Sequence, residues 1–103
     1  MADPMKIRAA LNGEVTEVKV LMSHEMETGQ RKDAGGQVIP AWFIQSVGAT
    51  WNDKTVLSAQ WGTAVAKNPF LSFRFKGGAK GDRITITWTD NRGDKRTDSA
   101  VIG

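Results

Sequence analysis

Leu71-Ser72-Phe73-Arg74-Phe75, followed after a glycine-rich stretch by Ile84-Thr85-Ile86-Thr87-Trp88, decides the architecture of this chain. In both segments a large apolar side chain falls on every second residue, with serine, arginine or threonine between. A period of two marks a strand with one buried face and one wet face. Gly77-Gly78 through Gly81-Asp82 reads as the turn between them. That glycine cluster superficially suggests a phosphate loop. It lacks the Gly-Lys-Ser/Thr ending and leads into a strand rather than a helix, so the anion-binding geometry is not expected.

The same punctuation recurs on both sides. Asn91-Arg92-Gly93-Asp94 marks a turn into a last strand, residues 96–102. Upstream, Ile7, Ala9 and Leu11 alternate with Arg8 and Ala10, and Asn12-Gly13 supplies the dipeptide of a tight hairpin. Val18, Val20 and Met22 share a phase that Val15 does not, which predicts a bulge or face switch near Thr16. Residues 42–51 are apolar on both phases and read as a central strand. Asn52-Asp53 turns that strand into residues 55–61, where Leu57, Ala59 and Trp61 share a face. Residues 62–69 are expected to cross between sheets. Residues 22–30 have room for one helical turn, ended by Thr28-Gly29, but no window sustains a period of 3.6. Seven short strands in 103 residues predict an all-β fold, an immunoglobulin-like antiparallel β-sandwich with Trp42 or Trp51 as its core tryptophan.

Length places all of this in a single domain, residues 1–103. A chain of this size removes roughly 65% of its unfolded surface on folding, enough for one two-layer core. It has no cysteine, which excludes disulfides, thiolate metal sites and a cysteine nucleophile together. Residues 1–11 are interrupted by Asp3, Lys6 and Arg8, so no secretory signal is expected there. No run approaches the ~20 apolar residues of a membrane span, and no membrane insertion is expected. Fourteen basic and eleven acidic residues leave a net charge of +3. The basic residues are scattered rather than striped, which speaks against nucleic acid and for an acidic protein partner.

Catalytic groups are scarce. His24 is the one histidine, and no Gly-x-Ser-x-Gly elbow frames Ser23, Ser46, Ser58, Ser72 or Ser99. His24, Glu25, Glu27 and Asp33 are the available oxygen and nitrogen ligands, but their spacing fits no strong zinc pattern. The simplest expectation is a surface or loop histidine bonded to a carboxylate, with no metal and no cofactor. Two other features invite a binding role. Trp42, Trp51 and Trp61 fall within twenty residues, and indoles either fill a core or sit half-exposed at interfaces. Residues 23–40 form a loop longer than compact domains usually carry, either an interaction segment or a solvated crossover.

Leu21-Met22-Ser23-His24-Glu25-Met26-Glu27-Thr28-Gly29-Gln30-Arg31-Lys32-Asp33, continuing to Ile44, resembles the SoxZ family, the smaller subunits of SoxYZ sulfur-carrier complexes in thiosulfate-oxidising bacteria. Asn68-Pro69-Phe70-Leu71-Ser72-Phe73 and Trp88-Thr89-Asp90-Asn91-Arg92-Gly93-Asp94 are similar to that family too, so the resemblance spans about residues 5–102. It implies a non-catalytic subunit. The expected partner is SoxY, whose Gly-Gly-Cys-Gly-Gly arm carries sulfur covalently, with other Sox enzymes reached through the pair. It also implies a periplasmic location, reached without a signal of its own by riding on the twin-arginine signal of SoxY. No family motif assigns the contacts. Aromatic placement and the loop nominate His24, Glu25, Met26, Trp42, Phe43, Trp51 and Phe70 as partner-interface residues. An adhesion-type sandwich that stacks carbohydrate or protein on its tryptophans is the alternative.

Overall fold

The computed structural model describes residues 3–103. Seven strands follow one another as β1 (Lys6–Asn12), β2 (Val15–Leu21), β3 (Ile44–Trp51), β4 (Lys54–Gln60), β5 (Phe70–Lys76), β6 (Arg83–Asp90) and β7 (Lys95–Val101). They form two antiparallel sheets, a three-stranded one ordered β1-β2-β5 and a four-stranded one ordered β4-β3-β6-β7. Both long connections, residues 22–43 and 61–69, cross between the sheets. This is the expected immunoglobulin-like sandwich, with the fourth strand beside β3 in the sheet of β6 and β7 rather than beside the fifth strand as in antibody constant domains. Among the described residues there is no helix, so the helical turn entertained for residues 22–30 is absent.

Turn chemistry explains the hairpins. Asn52 and Asp53 both take positive φ, 46° and 69°, the pattern of a type I′ turn whose twist matches its strands. The first hairpin turns one residue later than its Asn-Gly dipeptide suggested. Asn12 pairs with Val15, and Gly13 at φ 66° occupies the first central position that a type II′ turn reserves for glycine.

The core lies between Val18 and Val20 of β2, Val47 and Ala49 of β3, and Ile84, Ile86 and Trp88 of β6, closed by Met5, Met22, Met26, Ile44 and Ile102. Two expectations need correction. The core tryptophan is Trp88, fully in phase with Ile84 and Ile86. Trp42 precedes β3 and Trp51 ends it, and both are only half-buried. Nor is there a bulge near Thr16: the β1–β2 register runs unbroken from Asn12↔Val15 to Lys6↔Leu21. Thr16, not Val15, faces inward, because its hydroxyl donates to the Gly77 carbonyl at 2.7 Å and so is buried without loss. Gly78 sits against that hydroxyl at φ +94°, where an added Cβ would lie 2.3 Å from Thr16 Oγ1. The register shifts occur instead in β3, beside Gln45 and between Ala49 and Thr50.

The two margins of the sandwich differ. On one, β1 approaches β7, and the last residue joins them: Leu11 N–H donates to the Gly103 carbonyl and Gly103 N–H to that of Ala9. Met5 N–H adds a bond to Asp98 Oδ2 at 2.9 Å. With three strands laid over four from that side, β4 overhangs at the other. Its inward Leu57 and Ala59 stay half-exposed, as do Leu71, Phe73 and Phe75 along β5.

Candidate functional site

The inward phase of β2 does not stop where the strand ends. Thr16, Val18, Val20, Met22, His24 and Met26 are all buried, every second residue, for five residues beyond Leu21. That continuation carries His24 under the surface, where it is 6% exposed. On the facing sheet the inward phase of β6 likewise runs Ile84, Ile86, Trp88 and on to Asp90, which is 2% exposed. The two period-two runs therefore deliver an imidazole and a carboxylate to one end of the core.

They meet at 3.0 Å, His24 Nε2 to Asp90 Oδ2. The tautomer follows from the neighbours. Met26 N–H donates to His24 Nδ1 at 3.1 Å, so Nδ1 carries the lone pair and Nε2 the proton given to Asp90. Trp42 Nε1–H donates to the same Oδ2 at 2.7 Å. Asp90 Oδ1 accepts from the N–H groups of Arg92 and Asp94, both at 2.9 Å, closing the turn between β6 and β7. Burial pushes the Asp90 carboxyl up, but the bonds from His24, Trp42, Asp94 and Arg92 outweigh it and hold the group below the ordinary carboxylate range.

The rings pack as well as bond. His24 lies tilted against Trp42 with centroids 5.0 Å apart and edge-on to Trp88 at 5.1 Å, and the Arg92 guanidinium covers Trp42 at 4.4 Å. Asn68 ties in the second crossover. Its Oδ1 accepts from His24 N–H at 3.1 Å, and its own N–H donates to the His24 carbonyl at 2.9 Å. Met26 takes φ 51°, unusual for a side chain of that size, and its sulfur accepts the Ile44 N–H at 3.3 Å. Chemically this is a tie rather than a proton relay. Both imidazole nitrogens are engaged, and the position facing Nδ1 holds a backbone N–H where a triad would place a nucleophile. Ser23 points elsewhere, 3.5 Å from Asp3 Oδ2.

Beside the tie opens a small cleft of about 110 Å³, lined by Ser23, His24, Glu25, Trp42, Asn68, Trp88 and Asp94, with Asp3 at its edge. Every lining residue but Asp3 comes from one of three segments: residues 21–44, 68–73 and 88–94. Trp88 Nε1, fully buried, has no hydrogen-bond partner among the described residues. The family model described as "Sulphur oxidation protein SoxZ" matches residues 5–101, a span that includes all three segments. The chain belongs to the SoxZ family.

No curated protein matches this SoxZ-family chain. Among solved structures it resembles a superoxide reductase in the oxidised state, at 15% identity and a TM-score of 0.68, over 99% of this chain and 89% of that one. At that identity the likeness shows the sandwich fold and nothing more. In the SoxZ-family chain the side chains weighed as metal ligands do not come together among the described residues. His24 turns to Asp90, Glu27 pairs with Arg31, and Asp33 accepts the N–H groups of Gly35 and Gln37 at the tip of the long loop.

The nominated interface residues scatter. His24 and Met26 are buried, so the histidine is bonded to a carboxylate as expected but lies inside rather than on the surface. Glu25 is exposed and pairs with Lys67 at 3.3 Å. Trp42 is half-buried under Arg92, and Phe43 is half-buried against the core, its N–H held by Asn91 Oδ1 at 2.8 Å. Trp51 lies at the far end of β3, stacked on Phe75 with its indole N–H on Asp82 Oδ2 at 2.8 Å. That bond, with Asn52 and the Ala79 N–H, holds the Asp82 carboxyl below its usual range. Phe70 is 62% exposed on the outer face of β5. The long loop is a narrow ribbon, bridged at Glu27↔Trp42 and Lys32↔Val38, with every residue from 30 to 38 exposed. Asp90, Asn68 and Trp88, which organise the site, were not nominated.

Proposed function

We propose that this chain is the non-catalytic, thiol-free half of a sulfur-carrier pair in the Sox system, a rigid mount for a partner chain, SoxY, whose flexible cysteine arm holds the sulfur. Membership of the SoxZ family over residues 5–101 carries the reading. Physical support comes from the chemistry the chain lacks and the rigidity it has. These 103 residues contain no cysteine and so offer no thiol to carry sulfur covalently. A tail that visits several active sites has to be loose, so its base must be fixed, and a two-sheet sandwich with its crossovers pinned by His24 and Asp90 supplies a fixed base.

The overhanging margin suits a lasting partner. Leu57 on β4, Leu71 and Phe73 on β5, and Trp61 and Val65 in the crossover leave apolar area half-covered, and obligate partners complete such ledges. Trp51 borders this ledge, whereas His24, Met26 and Trp42 act from beneath. Co-purification with the partner chain tests the placement. Trp61→Ala is expected to weaken the pair about tenfold or more while the thermal midpoint of the isolated chain stays close to the parent's. Undiminished affinity would remove the ledge from the interface, and an unsubstituted chain that forms no complex would end the pairing itself.

A further inference from the structure

The outer face of the three-stranded sheet carries a charge pattern that the mount does not need. Pairing register sets its outward side chains in rows: Lys6, Leu21 and Phe70; Arg8, Lys19 and Ser72; Ala10, Glu17 and Arg74; Asn12, Val15 and Lys76. Five cations thus face one carboxylate on a single sheet face. That local excess is larger than the net +3 of the whole chain, so the remainder of the surface is slightly negative. Glu17 is already engaged by Lys19 and Arg74, each at 3.3 Å, while Lys6, Arg8 and Lys76 form no ion pair among the described residues. The lone carboxylate orders the cations rather than cancelling them.

One end of this face is apolar. Leu21 and Phe70 are direct cross-strand neighbours, 42% and 62% exposed, and with Lys6, Ile7, Arg8 and Lys19 they line a shallow groove of about 300 Å³. Exposed leucine and phenylalanine set side by side among cations are uncommon on a surface with no partner.

We infer that this face docks an acidic protein segment bearing an apolar anchor, the anchor seated on Leu21 and Phe70 and its carboxylates on Lys6, Arg8 and Lys19. Size points to a passing partner. Three strands about 4.8 Å apart and seven residues long offer roughly 300 Å² of flat sheet, well under the ~800 Å² that each side of a standard stable complex buries. Charge steering then sets the encounter rate and the apolar pair the dwell time. A nucleic-acid backbone or an anionic membrane fits less well, because either would lay negative charge across the whole face, Glu17 included, whereas a short segment occupies only the end formed by Lys6, Arg8, Lys19, Leu21 and Phe70. β5 gives this face Phe70, Ser72, Arg74 and Lys76 and gives the ledge proposed for the permanent partner Leu71 and Phe73 from its other side, so substitutions on the two sides test the two assignments separately.

The test uses the full chain, alone and in its complex, with a labelled twelve-residue Asp/Glu-rich peptide carrying a central leucine as probe. Binding at about 50 mM salt is expected to fall about tenfold or more on raising salt to about 300 mM or in the triple variant Lys6→Glu, Arg8→Glu, Lys19→Glu. Phe70→Ser is expected to weaken binding about fivefold and to leave the salt dependence unchanged. If the charge reversal perturbs folding, Lys6→Gln with Arg8→Gln is expected to give an intermediate loss. Co-purification with the permanent partner should survive every one of these changes. No binding of the peptide by the unsubstituted chain, equal binding by the charge-reversed variant, or tighter binding of duplex DNA or phosphatidylglycerol vesicles than of the peptide would overturn the proposal.

Discussion

Asp90→Ala is expected to lower the unfolding free energy by about 3 kcal/mol or more in a urea melt at neutral pH, because it strands four donors at once. His24 Nε2–H, Trp42 Nε1–H and the N–H groups of Arg92 and Asp94 all end on this carboxylate. With His24 and Asp90 both buried, water cannot readily replace the lost acceptor. Asp90→Asn is no remedy, since its NH2 group would face either the paired donors of His24 and Trp42 or the N–H groups of Arg92 and Asp94. The acid limb adds a second readout. A carboxyl held below its ordinary value stabilises the fold above an unfolded pKa of ~3.9 and loses that contribution as pH falls through the folded value. The unsubstituted protein is therefore expected to lose stability below about pH 4, and the Asn variant to show a shallower loss there. Equal melts for all three proteins would mean that the tie contributes nothing.

Trp88→Ala is the second large change, expected to cost about 3–5 kcal/mol. Trp88 is 2% exposed, aligned with Ile84 and Ile86, and packed edge-on against His24. Its loss opens a cavity beside the tie, so its effect and that of Asp90→Ala should not add. Trp88→Phe separates ring from polar group. Because Nε1 has no partner among the described residues, removing the N–H gives up no hydrogen bond to them, and the Phe variant is expected to lose less than half as much as the Ala variant. Equal losses for the two would show that the indole N–H is bonded after all. Both comparisons are read from denaturant midpoints with the slope held constant.

Much of the sandwich was legible because period two is a local signal. Residues 71–75 and 84–88 announced their strands, and the turn residues separated all seven. What local reading lost was continuation. The alternation ending at Met22 in the sequence reading runs on through His24 to Met26, and that ending at Trp88 runs on to Asp90. A histidine and an aspartate at the ends of apolar alternations look like loop residues, since nothing local tells that each finds its partner 66 positions away. The core tryptophan was misplaced for a related reason. Trp42 and Trp51 flank an apolar strand, but the register shifts in β3 lie beside both ends, whereas β6 runs without interruption and keeps Trp88 inward. Thr16 shows the limit of hydropathy: a hydroxyl with a carbonyl waiting at 2.7 Å is a good core residue, and the valine beside it goes to solvent. The family resemblance, which the family model bears out over residues 5–101, rested on three segments, and each of them gives residues to the tied end of the sandwich.

Intact mass of both subunits, taken after the purified pair is loaded with thiosulfate by its oxidising enzymes, bears most directly on the division of labour. Sulfur-dependent mass increments are expected on the cysteine-bearing partner alone, with this chain unchanged and present at one copy per partner. A sulfur adduct on this chain, or loading that proceeds equally well when this chain is left out, would contradict the account.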